Sequence, residues 1–466
     1  MANDAFDTII ALSTPPGQGA IAILRMSGPE APAIIGRLFA GKPLHEMAHA
    51  QLYHGHIVQR AEILDEVMAV WMRAPRSYTR EHVVEIHCHG GSYAMSRILE
   101  ACCAEGARMA EPGEFTKRAF LNGRLDLLQA EGVMDVIQAH SQWAAQASQS
   151  LMAGGLSQYI APLKAQLLHT LAAVEVYLDY PEEELQEATH TAVRETLEAV
   201  SVGLSELLTH GAAARMVRNG VTVALAGRPN VGKSSLLNAL SGRERAIVTD
   251  TPGTTRDVLE EWVQVQTAEQ ALSIRLLDTA GIRPATGVEA MGVERARQEQ
   301  AGADVVLWVL DAAEGVTAED ETLAEELLLR IQAGQVIAVV NKQDIGTQLE
   351  EAQRFVADKA PRIPLVVVSA LGDMDTLRQA IVQHVTNAHM AAALTEGRLV
   401  THERHRAALT EAQAAIGQAQ EALAVQPLDV VALDLQAGYD ALAQLTGEQG
   451  AEAVIDHIFA AFCVGK

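Results

Sequence analysis

Val221-Thr-Val-Ala-Leu-Ala226-Gly227-Arg-Pro-Asn230-Val231-Gly232-Lys233-Ser234-Ser235-Leu-Leu-Asn-Ala-Leu240 is the stretch that decides the fold. A β-branched apolar run ends at Ala226, a G-x-x-x-x-G-K-S loop follows, and a helical run begins at Ser235. The glycines let consecutive backbone N–H groups turn toward a phosphate, and the helix N-terminus behind them adds partial positive charge. In that arrangement Lys233 reaches the β- and γ-phosphates and the Ser234 hydroxyl ligates Mg²⁺. A Gly-rich turn that merely fits the spacing is the alternative, and the strand–loop–helix context argues against it.

Downstream, apolar runs at 274–277, 305–310, 336–340 and 365–368 are separated by helical lengths, the pattern of βαβ units on a parallel sheet. Polar motifs sit where three of these runs end. Asp278-Thr279-Ala280-Gly281 follows the first, placing a carboxylate at the crevice where such sheets bind ligands. Asp278 would hold magnesium through water, and the Gly281 N–H would meet the γ-phosphate. Asn341-Lys342-Gln343-Asp344 follows the third. The Asp344 carboxylate can accept both N1–H and N2–H of guanine, a donor pair adenine lacks, so an acid left unpaired rejects adenine. Ser369-Ala370 follows the fourth and fits a backbone contact to guanine O6. Together, in this order, the motifs identify the ligand as GTP, with GDP as its product.

The remaining composition bounds the molecule. Its 466 residues suggest two to four domains at about 100–200 residues each. An apolar fraction of 49% excludes disorder as the main state, and 4% aromatic content favours helices and parallel sheets over an aromatic-rich sandwich. The net charge of −24 argues against a large phosphate-gripping surface, but it is unevenly spread. Residues 1–124 carry −1, 125–218 carry −8, 219–383 carry −9 and 384–466 carry −6. Four cysteines (Cys88, Cys102, Cys103 and Cys463) form no C-x-x-C pair, which suits a reduced cytosolic compartment. The start of the chain is acidic where a signal peptide would be basic, and no apolar run reaches membrane-spanning length.

Texture changes with charge. Residues 8–25 read as strand, Thr14-Pro-Pro-Gly turn, strand, and Val83-Val-Glu-Ile-His-Cys88 as another strand ended by His89-Gly-Gly. From 125 to 218 the pattern is helical, with Pro181 and Glu182, Glu183 and Glu184 suiting a helix start. Residues 402–462 return to helix. The expected fold is multidomain, α/β plus all-α: an α+β N-terminal domain over 1–124, then a helical domain in two parts, 125–218 and 384–466. A Ras-like doubly wound G domain over 219–383 is inserted into it. His82, His87, Cys88 and His89 invite a zinc reading, which the lack of a second ligand pair argues against.

The G domain resembles the translation-factor-type GTPases. Thr249-Asp250-Thr251-Pro-Gly-Thr254-Thr255-Arg-Asp257 is similar to the subgroup whose first switch reads T-P-G-T-T-R-D. By that resemblance Thr255 ligates Mg²⁺ beside Ser234, while Thr279 and Ala280 lie against the nucleotide. Ile282 stands where Ras-like proteins have a water-orienting glutamine, so the catalytic group must come from elsewhere.

The rest of the chain narrows the resemblance. Leu24-Arg25-Met-Ser-Gly28, Glu85 with His89-Gly90-Gly91, the run from Pro112-Gly-Glu-Phe to Arg124-Leu-Asp126, and the terminal Phe462-Cys463-Val464-Gly465-Lys466 are all similar to the MnmE family. The resemblance implies a potassium-dependent GTPase, a homodimer that works with the flavoprotein MnmG. It would add a carboxymethylaminomethyl or aminomethyl group at C5 of the wobble uridine of certain tRNAs. A tetrahydrofolate derivative of the 5-formyl or 5,10-methylene type would supply the one-carbon unit, with Arg25, Glu85, Arg124 and Lys466 at the folate-contacting positions. It further implies that Asn230, Thr249, Thr251 and Thr254 surround K⁺ and that Glu289 orients water, with Glu294 as the competing candidate. Cys463 is either a thiol of the uridine site or a small apolar residue of the tail. Read from the residues alone, Glu85 is an exposed strand acid.

A ribosome-assembly GTPase of the same subgroup is the second reading. Such relatives append an RNA-binding module after the G domain, whereas here no basic GXXG segment follows residue 383. With its acidity in the helical and GTPase parts, the chain is expected to bind tRNA weakly by itself, its partner supplying most of the cationic surface.

Overall fold

The computed structural model describes residues 7–15, 17–139, 141–180, 183–209, 214, 216–217, 220–241, 260–266, 271–277, 302–385, 399–449, 452–460, 462 and 465. They divide between two compact units: Met1–Met134 with Leu151–Val200 and Glu411–Lys466, and Asp135–Ser150 with Ser201–Thr410.

Strands β1 (Ile9–Leu12) and β2 (Ile21–Ser27) pair antiparallel, Ile9 opposite Ser27 and Leu12 opposite Leu24, as the strand–turn–strand reading expects. Helix α1 (Ala31–Leu38), β3 (Phe39–Gly41), β4 (Leu52–Gln59), β5 (Glu62–Met72), β6 (Val83–His89), α2 (Ser92–Ala104), β7 (Arg108–Met109) and α3 (Glu114–Leu121) follow. The sheet order is β3-β4-β5-β6-β2-β1-β7, antiparallel except where β7 joins β1. Alternation along β2 and β6 sends Leu24, Met26, Val84 and Ile86 into one core with Ile34, Ile35 and Ile98 from α1 and α2. Arg25 and Glu85, at the intervening positions, lie on the opposite face. There Ile9 and Ala11 pack on Phe115 of α3. Strands β3 to β5 escape the sequence reading because their inward residues are few: in β4 only Gly55 and Ile57 are buried.

Arg118 of α3 anchors an ion cluster beneath this face. Its side chain is 7% exposed, with Nη1 donating to the Asp7 carbonyl at 2.9 Å and Nη2 to Glu114 at 3.0 Å. Its guanidinium also pairs with the Asp7 carboxylate and, at 3.3 Å, with Glu81.

Four helices follow: α4 (Leu127–Gln138), α5 (Gln142–Met152), α6 (Gly155–Asp179) and α7 (Glu183–Thr209), the last starting two residues beyond Pro181. In α6 the buried Leu156, Ile160, Leu163, Leu167, Leu171 and Val174 recur every three or four residues, making one core-facing stripe.

The second sheet takes β8 (Val221–Ala226), α8 (Lys233–Ser241), β9 (Glu260–Gln266), β10 (Ala271–Leu277) and β11 (Val305–Asp311). It continues through α9 (Ala318–Glu326), α10 (Leu328–Gln332), β12 (Val336–Asn341), α11 (Leu349–Lys359), β13 (Leu365–Val367) and α12 (Asp375–Val385). The order is β13-β12-β11-β8-β10-β9. Helices cover both faces: Leu307 and Val309 meet Leu236, Leu377 and Ile381, while Trp308 and Leu310 meet Ala324, Ala352 and Val356. Burial on both sides explains why β11 reads as one unbroken apolar run. The sheet is parallel with one departure: β9, absent from the sequence reading, pairs antiparallel with β10, Gln266 opposite Ala271. Of its residues Val263 and Val265 are buried, a period-two pattern with too little apolar content to stand out. Helices α13 (Glu403–Leu423), α14 (Leu428–Thr446) and α15 (Glu452–Ala460) complete the chain. Among the described residues no helix is long and apolar enough to cross a membrane.

Candidate functional site

The loop between β8 and α8 reaches the C-terminal edge of the parallel strands, where the segments after β11, β12 and β13 also emerge. Asn230 takes φ +65° and Gly232 φ +96°, the left-handed conformations that wrap a phosphate loop. Lys233 Nζ donates to the Gly227 carbonyl at 2.7 Å and the Arg228 carbonyl at 2.9 Å, which holds the ammonium over the loop. Ser234 and Ser235, in the first turn of α8, are exposed.

Asn341 joins this loop to the next one. It is 1% exposed, its Nδ2 donates to the Val231 carbonyl at 2.9 Å, and its Oδ1 accepts the Ala370 N–H at 3.1 Å. Lys342 Nζ donates to the Asn230 carbonyl at 2.8 Å and to Asp311 Oδ2 at 2.6 Å. Asp344 is exposed in the turn that follows, and Ser369 Oγ accepts the Leu371 N–H at 3.3 Å.

Asp311 escaped the sequence reading. It ends β11 opposite Asn341 and is 1% exposed. Burial pushes its carboxyl upward, but the Lys342 ammonium and the Ala313 and Glu314 N–H groups outweigh that and hold it below the usual aspartate range. The signal was available, because an acid at the C-terminal end of a parallel strand is what singles out Asp278. Arg228, an unspecified position of the loop motif, is nearly buried and pairs with Glu314 and, at 3.2 Å, with Asp320, fastening the loop to α9.

Thr249, Asp250, Thr251, Thr254, Thr255, Asp278, Thr279, Ala280, Gly281, Glu289 and Glu294 lie outside the described residues, as do Cys463 and Lys466.

In the first unit Arg25 and Glu85 are register partners on β2 and β6, with Nε to Oε1 at 2.8 Å. Arg124, the third folate candidate, rests over the Tyr78 ring at 4.6 Å. Arg25 Nη1 is 3.5 Å from the Gly465 carbonyl, which also accepts from Ser13 Oγ at 3.2 Å. Gly465 has φ +95°, and a Cβ there would stand 2.2 Å from the Leu12 carbonyl oxygen. Gly465 is therefore seated against the end of β1 and against Arg25 of β2. The zinc candidates scatter. Cys88 is in the core, its thiol pushed up to about 11 by burial. His89 Nδ1 bonds Asp65 at 2.7 Å, and His82 Nδ1 accepts the Ala74 N–H at 3.3 Å.

Two family models match the chain: the GTP-binding protein TrmE N-terminus over residues 8–124 and the MnmE helical domain over residues 127–463. A tRNA modification GTPase MnmE from Geobacillus thermodenitrificans is 44% identical over 472 residues, covering 99% of this chain and 99% of that one. The protein of the same description from Levilactobacillus brevis is 42% identical, covering 99% and 98%. A crystal structure of an Aquifex aeolicus Era variant is 32% identical over 36% of this chain and 57% of that one, with a TM-score of 0.28. Similar to such relatives along 99% of its length, the chain belongs to the MnmE family of tRNA modification GTPases.

Proposed function

We propose that this chain hydrolyses GTP in the service of tRNA modification. With MnmG, and as a homodimer, it adds a carboxymethylaminomethyl or aminomethyl group at C5 of the wobble uridine, taking its carbon from a tetrahydrofolate derivative. The observation that carries the nucleotide half is Asn341, whose buried amide ties the phosphate loop to the Ser369-Ala370 loop, coupling triphosphate and base recognition. In this reading Asp344 selects guanine, Lys233 neutralises phosphate charge, and Glu289 orients the attacking water. The exposed Ser234 hydroxyl suits Mg²⁺, shared with Thr255, and the ion would offset charge on the phosphates. Asn230, exposed within the loop, suits K⁺ together with Thr249, Thr251 and Thr254, where the ion would place positive charge near the transferring phosphoryl.

The folate half is supported by the gathering of Arg25, Glu85 and Arg124 beside seated Gly465, which leaves Lys466 as the next residue. Guanidinium groups suit a folate's carboxylates, and Glu85 suits the N–H donors of a pterin. The four-part division at 124, 218 and 383 is retained as the domain scheme of this reading. Full-length similarity to MnmE proteins favours it over the ribosome-assembly alternative.

Nucleoside analysis of tRNA from cells lacking this protein tests the whole reading: wobble uridines without their C5 substituent are expected, and normal modification would overturn it. For the G domain, GTP turnover in K⁺ is expected to exceed that in Na⁺ by about tenfold or more, the difference vanishing in Asn230→Ala. Equal rates in the two salts would sink the potassium assignment.

A further inference from the structure

Tyr78 lies between β5 and β6, and its ring is shared by two cations. The guanidinium carbon of Arg124 is 4.6 Å from the ring centre and that of Arg25 is 5.9 Å away. Arg25 has other supports: Glu85 at 2.8 Å, the Gly465 carbonyl at 3.5 Å and the Phe115 ring at 6.0 Å. Arg124 does not. It is exposed, and among the described residues its guanidinium has no hydrogen bond or ion pair, only the face of Tyr78. A long cationic side chain in that position would otherwise sample many rotamers, and a cation–π contact offsets part of that freedom.

The ring is itself fixed. Tyr78 Oη shares a hydrogen bond of 2.9 Å with Thr116 Oγ1, and Thr116 is fully buried in α3. Arg25 is already paired with Glu85, so the positive charge left for a carboxylate of the ligand is that of Arg124, held by one aromatic side chain.

We infer that Tyr78 is a positioning residue of the folate site, fixing the Arg124 guanidinium where it pairs with a carboxylate of the ligand. The inference rests on the reading of Arg25, Glu85 and Arg124 as ligand residues. Two measurements on full-length protein test it. With labelled arginine, the Arg124 side-chain protons of the wild type and of Tyr78→Phe should show displaced, ring-shifted resonances that collapse to ordinary positions in Tyr78→Leu. Titration with 5-formyltetrahydrofolate should then give Tyr78→Phe within about twofold of wild type and Tyr78→Leu weaker by about fivefold or more. In an Arg124→Ala background Tyr78→Leu should cost little further, because Tyr78 acts through Arg124. Fully additive losses, or Arg124 resonances unmoved by Tyr78→Leu, would overturn the inference alone. Ring-shifted resonances in a wild type that binds no folate would overturn the ligand reading and the inference with it.

Discussion

Gly232→Ala is expected to weaken GTP binding by about 100-fold, for a reason located in one contact. Gly232 sits at φ +96°, and a Cβ there would lie 2.3 Å from Asn341 Nδ2. That amide cannot step aside, since Asn341 is 1% exposed and both of its ends are hydrogen-bonded. An alanine in this backbone conformation costs about 1–3 kcal/mol. Displacing Asn341 forfeits two hydrogen bonds of about 1 kcal/mol each. The total is roughly 3–5 kcal/mol, and at about 1.4 kcal/mol for each tenfold change in affinity its lower end already corresponds to about 100-fold. Calorimetric titration with GDP and GTP reads the effect directly. Because the same amide holds the Ala370 N–H, the loss should extend to guanosine without phosphates, which a defect confined to the phosphate loop would spare. Affinity within about threefold of wild type would show that the loop absorbs the methyl group and that Asn341 does not couple the two halves.

The second large effect is on stability. Arg118→Leu should destabilise the first unit by about 3–5 kcal/mol, the cost of breaking a buried ion cluster by removing one partner. Removal of the guanidinium takes the ion pair from Glu81 and leaves Asp7 and Glu114 with Arg108 alone. The pH dependence follows from the acids. Burial pushes Glu114 upward, but Arg108, the Glu111 N–H and Arg118 outweigh it, and its carboxyl titrates below the usual glutamate range. Asp7 is held low in the same way, its burial overcome by Arg108 and Arg118. A carboxyl with a depressed folded pKa stabilises above its unfolded pKa, about 3.9 for Asp and 4.3 for Glu, and loses that stabilisation as pH falls through the folded value. Urea unfolding of wild type and variant should therefore differ most at neutral pH and converge below about pH 4. A pH-independent difference would assign the loss to packing, and Arg118→Lys should recover only part of it, because an ammonium cannot reproduce the forked geometry.

How much of this was legible beforehand differs between the two sites. In the G domain each motif directly follows the strand that aims it, so Gly232, Lys233, Asn341 and Ala370 could be placed by reading along the chain. What escaped was the cross-linking between them. Asp311 and Lys342 meet at 2.6 Å because β11 and β12 are register neighbours, a pairing no local pattern states. Strand β9 escaped for a related reason, since an edge strand with two inward valines has weak periodicity. The first unit was less legible still. Arg25, Glu85 and Arg124 are single residues in unremarkable surroundings, and only resemblance to a family marked them.

By itself, then, the sequence determined the parallel, doubly wound G domain and its phosphate loop, because continuous apolar runs and the glycine loop act through neighbouring backbone. Tertiary structure decided what stands around them. It buried Asn341 between two loops, set Asp311 against Lys342, brought Arg25 and Arg124 to the Tyr78 ring and seated Gly465 against Ser13 and Arg25. Those contacts join residues far apart in the chain through sheet register and ring stacking, and both exist only once the strands have paired.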